Sequence, residues 1–162
     1  MQRLTRKGAK GALLDVYEDA IAALQESIAD LSNDDLVAVV LPDEADCSSI
    51  QTILTHVVSS SYSYAVYIHE LKGRSYTRPE EKLRTRAVDY VQDLKDAFLF
   101  NLNVFREFDD SELEHFDASG KIMTGWAQLY DIEQLTEHAI VHVLRHKRQI
   151  EKFKLLLNLT EQ

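Results

Sequence analysis

The sequence predicts an all-α fold, a four-helix bundle with a long connection between helices three and four. Apolar residues make up 45% of the chain and charged residues 28%, with only five Gly and two Pro, which excludes disordered, collagen-like and turn-rich β classes. Four long segments carry apolar residues at three- and four-residue spacing, and a bundle buries four such stripes together. The chain has 162 residues and no repeat or Pro/Gly/Ser-rich linker, so we expect a single domain over 1–162.

Helix one is predicted over residues 10–31, where apolar side chains keep helical spacing until the turn formers of 32–35 follow. Residues 36–47 are predicted to be a connection with some buried side chains. The β-branched run 36–41 also suits a strand, but the sequence offers no second strand to pair with it. We therefore interpret this run as part of the connection.

Helix two is predicted over residues 49–71. Ser48 or Ser49 can cap its start, and its apolar face continues until Gly73 provides a stop. His56 lies one turn beyond an apolar residue on this face, so an imidazole is expected near the core.

Helix three is predicted to begin near Pro79, since proline at the first helical position loses no needed donor. Glu80 and Glu81 would then face the positive end of the helix dipole. The polar run 109–111 predicts the end of this helix. Its apolar stripe consists of Val88, Val91, Leu94, Phe98, Leu102, Phe105 and Phe108.

The segment 109–128 is longer than most connections between helices. It is interpreted either as a functional lid or as a crossover packed by Phe116, Ile122 and Trp126, and the crossover is the commoner arrangement. Helix four is predicted over 127–158.

Two histidines interrupt the apolar stripe of helix four. The stripe consists of Leu135, Ala139, His142, His146, Ile150, Phe153 and Leu157. Residues four apart on a helix have Cβ atoms about 5–6 Å apart, so the rings of His142 and His146 can reach one metal ion. Spacing alone also permits the pair His138 and His142. We prefer His142 and His146, because the stripe runs through 135 and 139 and leaves His138 beside it.

His56 provides a third imidazole from a different helix. A single core histidine is more often a packing residue than a ligand, but a pair at this spacing with a third ring in reach indicates a metal site. Three nitrogen ligands leave a coordination position open, as in catalytic sites, whereas structural zinc sites close all four positions and usually contain Cys. The side chains considered for closing that position are Cys47, Glu112 and Asp117.

Other chemistries have less support in the sequence. A di-iron carboxylate site needs two Glu-x-x-His pairs, and the chain has one, Glu112 to His115, in the long connection. Cys47 has no neighbouring histidine in sequence. No Gly-x-Ser-x-Gly or phosphate-binding glycine-rich motif occurs, which argues against nucleophilic catalysis of those types.

The charge balance narrows the choice of partners and compartment. A net charge of −9 argues against nucleic acid and an anionic membrane surface, since both require clustered Lys and Arg. No run approaches the ~18 apolar residues of a membrane span. A single cysteine, Cys47, fits a reducing compartment, so we expect a cytoplasmic protein.

Two segments resemble a known family. The run His142–Ile150 is similar to the C-terminal His-x-x-x-His-x-x-Gln-Ile signature of the DinB/YfiT-like superfamily of metal-binding four-helix bundle proteins. Ile53–Val57 resembles that family's first metal-ligand segment, and the order of elements is similar over almost the whole chain. Lys147 and Arg148 depart from the family's commoner His-His-Arg-Gly-Gln form, so the family's substrate contacts are not carried over.

The resemblance implies that His56, His142 and His146 bind a divalent metal ion, zinc or nickel, and that the protein is a homodimer. Imidazole itself suits zinc, nickel, copper and iron alike. Several members of the superfamily use a low-molecular-weight thiol, such as glutathione, mycothiol or bacillithiol, as substrate or cofactor. The resemblance does not imply DNA binding.

Two functions are compatible with such a site. The first is a metal-dependent enzyme of the thiol-transferase type, in which the ion lowers the pKa of a thiol and presents a thiolate to a small electrophilic substrate. The second is a non-catalytic, metal-stabilised binding or stress-associated protein. Both require the same three ligands, so the sequence alone does not separate them.

Overall fold

The computed structural model describes residues 5–157 and is mostly α-helical. The helices are α1 (Gly8–Ile28), α2 (Asn33–Val37), α3 (Ile50–Glu70), α4 (Ala87–Phe105) and α5 (Ile132–Leu156). Short 3₁₀ turns lie at Ala45–Cys47, Asp110–Glu112 and Ala118–Gly120. One antiparallel hairpin pairs β1 (Ile122–Met123) with β2 (Leu129–Tyr130).

The four long helices surround one hydrophobic core. Helix α1 packs against α4 and α5, and α3 packs against the same two helices. The largest fully buried side chains include Tyr17 from α1, Tyr90 and Phe105 from α4, and Phe153 from α5. Among the described residues, none of the helices has both the length and the apolar character needed to cross a membrane. The direct contact of α3 with α5 is the one that positions the histidines.

The first predicted helix is present, but the segment after it is more helical than expected. Helix α1 ends at Ile28, and Ser32 then accepts a hydrogen bond from the Asp35 amide (3.1 Å) and caps α2. The turn formers thus end one helix and begin another, because a serine side chain can satisfy a free amide at a helix start. The run 36–41 forms no strand, and its Val40 amide donates to the Ser48 carbonyl at 2.7 Å.

The second predicted helix is confirmed to within one residue at each end, as α3. Ser49 caps it through a reciprocal pair with Thr52: the Thr52 amide donates to Ser49 Oγ (3.2 Å) and the Ser49 amide donates to Thr52 Oγ1 (3.0 Å). Gly73 follows with a φ of +65°, in the left-handed region where glycine has no steric penalty. This cap fixes where the helix that carries His56 begins.

The predicted start of the third helix is wrong. Helix α4 begins at Ala87, and residues 79–84, here called the strap, have no regular structure. Between 74 and 86 the only large apolar side chains are Tyr76 and Leu83, and both are exposed. A helix there would have no apolar face to bury, and favourable end residues alone do not stabilise a short helix in water.

The apolar stripe of the third helix is also shifted at its start. Val88, predicted to be buried, is 61% exposed, and the buried positions are Ala87, Tyr90 and Leu94. Because a helix turns about 100° per residue, a one-position error at the start moves a side chain from the core to solvent.

The long connection before α5 behaves as a crossover only in part. Ile122 is 5% exposed and packs in the core, whereas Phe116 is 94% exposed, so its predicted packing role is wrong. The β1–β2 hairpin was not predicted, because strands of two residues show no alternation of apolar and polar side chains. Helix α5 starts at Ile132, five residues later than predicted, and residue 158 lies outside the described residues.

Replacing Asp131 with Ala should lower the free energy of unfolding by about 1 kcal/mol. The Asp131 carboxylate caps α5 by accepting from the Gln134 amide at 2.8 Å, and the loss leaves that amide unpaired. Urea unfolding followed by circular dichroism measures the change. Asp117→Ala is the matched control, since Asp117 precedes a short turn without a side-chain cap. Equal losses in the two variants would contradict a capping role for Asp131.

Candidate metal centre

Three histidines meet where α3 packs against α5. The Nε2 atom of His142 lies 3.0 Å from Nε2 of His56 and 3.2 Å from Nε2 of His146. One ring nitrogen from each of the three residues lies within 4.8 Å of the other two. The structure thus brings together all three residues singled out in the sequence, two from one helix and one from its neighbour.

The spacing of these nitrogens fits a shared metal ion. Nitrogens that each lie about 2.0–2.1 Å from one ion at tetrahedral angles are about 3.3 Å apart. Hydrogen bonds alone cannot account for the arrangement, because Nε2 of His142 carries either a proton or a lone pair and faces two other Nε2 atoms. A cation can accept lone pairs from all three rings at once.

Gln149 fixes the tautomer of one of the three histidines. Its Oε1 atom lies 3.0 Å from Nδ1 of His146, and a carbonyl oxygen can only accept, so Nδ1 of His146 carries the proton. The lone pair of His146 is therefore on Nε2, the atom that faces His142. A hydrogen bond from the far ring nitrogen is the usual way in which proteins orient a histidine ligand. The sequence signal for it is the three-residue spacing from His146 on one helix.

Burial favours the neutral form of the two rings on α5, His142 and His146. Burial, together with the neighbouring His146 and His56, lowers the pKa of His142 to about 3. Burial also lowers the pKa of His146, against the hydrogen bond to Gln149, which raises it. Neutral imidazole is the form that binds metals, so His142 and His146 each have a lone pair available at physiological pH.

His138 lies next to the cluster but outside it. Its half-buried ring stacks on Trp126, with centroids 5.4 Å apart and planes at 24°. The Tyr130 hydroxyl lies 3.3 Å from Nδ1 of His138. Both partners belong to the connection before α5, and their contact with His138 was not apparent in the sequence. Spacing alone left His138 open as a ligand, and in the structure the group of three contains His146 instead.

None of the three side chains considered for closing the site belongs to the cluster. The group of ligand atoms contains no thiol and no carboxylate. Burial raises the pKa of the Cys47 thiol, and Gln149 opposes this rise, so the nucleophilic thiolate is disfavoured. Glu112 is bonded to Lys72 and to the Asp109 amide, and Asp117 is exposed.

Comparisons with known proteins add no assignment. A scan against models of protein families, a search of curated proteins and a search of solved structures each found no match to this chain. The features of this chain that point to a function are the geometry of the three histidines and the motif in which two of them lie.

Each of the substitutions His56→Ala, His142→Ala and His146→Ala should abolish stoichiometric metal binding. Removing any one ring leaves two ligands, and the remaining nitrogens cannot hold an ion tightly enough to survive dialysis. The measurement is bound metal per chain after dialysis. His138→Ala is the matched control and should keep most of the metal. If His138→Ala loses the metal and His146→Ala keeps it, the ligand pair on α5 is His138 and His142.

Gln149→Leu should weaken metal binding by about 10- to 100-fold without loss of helix content. Without the carbonyl oxygen, the proton of His146 is free to move to Nε2, the atom that must donate its lone pair. Gln149→Glu keeps an acceptor at the same place and should restore affinity. Competition with a chromophoric chelator measures the dissociation constants. Equal weakening in both variants would mean that Gln149 acts by packing alone.

Proposed function

We propose that this chain is a divalent-metal-binding protein in which His56, His142 and His146 hold zinc or nickel. One observation carries the proposal: Nε2 of His142 lies 3.0 Å from Nε2 of His56 and 3.2 Å from Nε2 of His146. Two neutral rings of lowered pKa and one tautomer set by Gln149 support it. Three imidazoles and no thiolate are suited to borderline metal ions such as zinc and nickel.

Membership of the DinB/YfiT-like superfamily is part of this proposal. It is supported by four long helices around one core and by a long connection before the last of them. The run His142–Ile150 lies on that last helix, and His56 lies near the start of the helix packed against it. These features agree with a four-helix bundle in which two helices share a metal site.

We further propose an enzyme of the thiol-transferase type that uses a low-molecular-weight thiol. When bound, a divalent ion supplies Lewis-acid chemistry that lowers the pKa of a thiol. Support comes from the ligand set, since three protein ligands leave room for a further one and the cluster contains no closing thiol or carboxylate. His56 also lines a cleft, which gives a small molecule a route to the site.

A non-catalytic role is the second candidate, and one observation favours it. His56 belongs to α3, and His142 and His146 belong to α5, so an ion held by all three joins two neighbouring helices. An ion that binds only the folded chain adds about 2.7 kcal/mol of stability at 100 times its dissociation constant. A metal-stabilised binding or stress-associated protein needs no more than this.

A cobalt-loaded protein separates the two candidates. Adding a low-molecular-weight thiol should produce a thiolate-to-cobalt charge-transfer band that saturates with thiol concentration. His138→Ala should keep the band, and His56→Ala should lack it. Absence of the band with glutathione, cysteine and 2-mercaptoethanol, in protein shown to contain cobalt, would remove the thiol-transferase proposal and favour the non-catalytic role.

A further inference from the structure

A cleft of about 440 Å³ opens beside the histidine cluster. It is lined by Asp46, Thr52, Thr55, His56, Glu81 and Leu83. This volume lies within the range of small-molecule sites. His56 belongs both to the lining of the cleft and to the group of three ligands, so a molecule in the cleft lies next to the candidate metal centre.

The strap forms one wall of this cleft, and polar contacts hold it in place. The Arg84 guanidinium forms two hydrogen bonds with the Asp93 carboxylate, at 2.8 and 2.9 Å. The Arg84 carbonyl accepts from Gln51 Nε2 at 2.9 Å, and Ser59 Oγ donates to Glu81 Oε1 at 2.6 Å. The strap has no regular structure but is bonded to α3 and α4, so the position of Glu81 in the cleft wall is defined.

The lining of the cleft is acidic and rich in hydroxyl groups. Asp46, from the 3₁₀ turn before α3, and Glu81, from the strap, are its two charged groups, and it contains no Lys or Arg. Within residues 5–157, neither carboxylate takes part in an ion pair. Of the two basic residues of the strap, Arg84 is bonded to Asp93 outside this lining, and Lys82 does not line the cleft. Two unneutralised carboxylates favour a positive group and disfavour an anion.

We propose that this cleft is the substrate pocket of the metal centre and that it selects small thiols bearing a protonated amine. Asp46 and Glu81 bind the ammonium group, and the sulfur points to the side of the cleft lined by His56. The thiol proton is released to solvent as the sulfur binds. This inference rests on the proposed function, because it takes the three-histidine site as the place where sulfur is held.

Three thiols of similar size and different charge test the inference on cobalt-loaded protein: cysteamine, 2-mercaptoethanol and 3-mercaptopropionate. The measured quantity is the thiol concentration that half-saturates the charge-transfer band. Asp46→Asn and Glu81→Gln should each weaken cysteamine binding by about 3- to 5-fold, the size expected of one solvent-accessible ion pair. Binding of 2-mercaptoethanol should stay unchanged, and that of 3-mercaptopropionate should strengthen.

Asp43→Asn is the matched control, since Asp43 is an exposed acid of the same connection that does not line the cleft. Glu81→Gln keeps an oxygen that can accept from Ser59, so the strap stays bonded to α3. If both cleft variants behave like Asp43→Asn, or if they weaken all three thiols equally, charge selection by this cleft is wrong. If none of the three thiols produces the band, the proposed thiol-transferase function itself is wrong.

Discussion

The packing of α3 against α5 is the contact on which the candidate site depends. Each of these helices starts at a reciprocal cap, Ser49 with Thr52 and Asp131 with Gln134, so the position at which each begins is defined by side-chain bonds. A shift of one residue in either helix would rotate its histidines by about 100° and turn them away from the shared seam. The caps and the apolar contacts between the helices therefore decide whether three ring nitrogens can converge.

Sequence periodicity predicted the helices that have a continuous apolar stripe. The prediction failed where a helix-start residue was not followed by apolar residues that could be buried. The predicted helix two and α3 differ by one residue at each end, because cap, stripe and terminal glycine all agree. Pro79 offered a helix start without an apolar face, and the chain forms the strap there instead. Phe116 is large and apolar but exposed, since nothing in a local pattern indicates what packs against a loop residue.

The part of the candidate site that lies on one helix could be predicted from the sequence. His142 and His146 are four residues apart on one helix, so their proximity follows from helix geometry. Their meeting with His56 depends on which helices are neighbours, a long-range property that the stripe alone does not specify. The strap beside His56 is a second long-range feature, because its course depends on Arg84 meeting Asp93 and Gln51.

His138 and His146 have the same spacing from His142, and the rest of the chain determines which of them joins the group of three histidines. Both residues lie four positions from His142, and the difference comes from their surroundings. At one end, Trp126 and Tyr130 cover His138, and its ring stacks on the indole. At the other end, His146 is buried and donates Nδ1–H to Gln149, which directs its lone pair at His142. The connection before α5 therefore adds no residue to the group of three, but its aromatic rings contact His138, the histidine of α5 that lies beside that group.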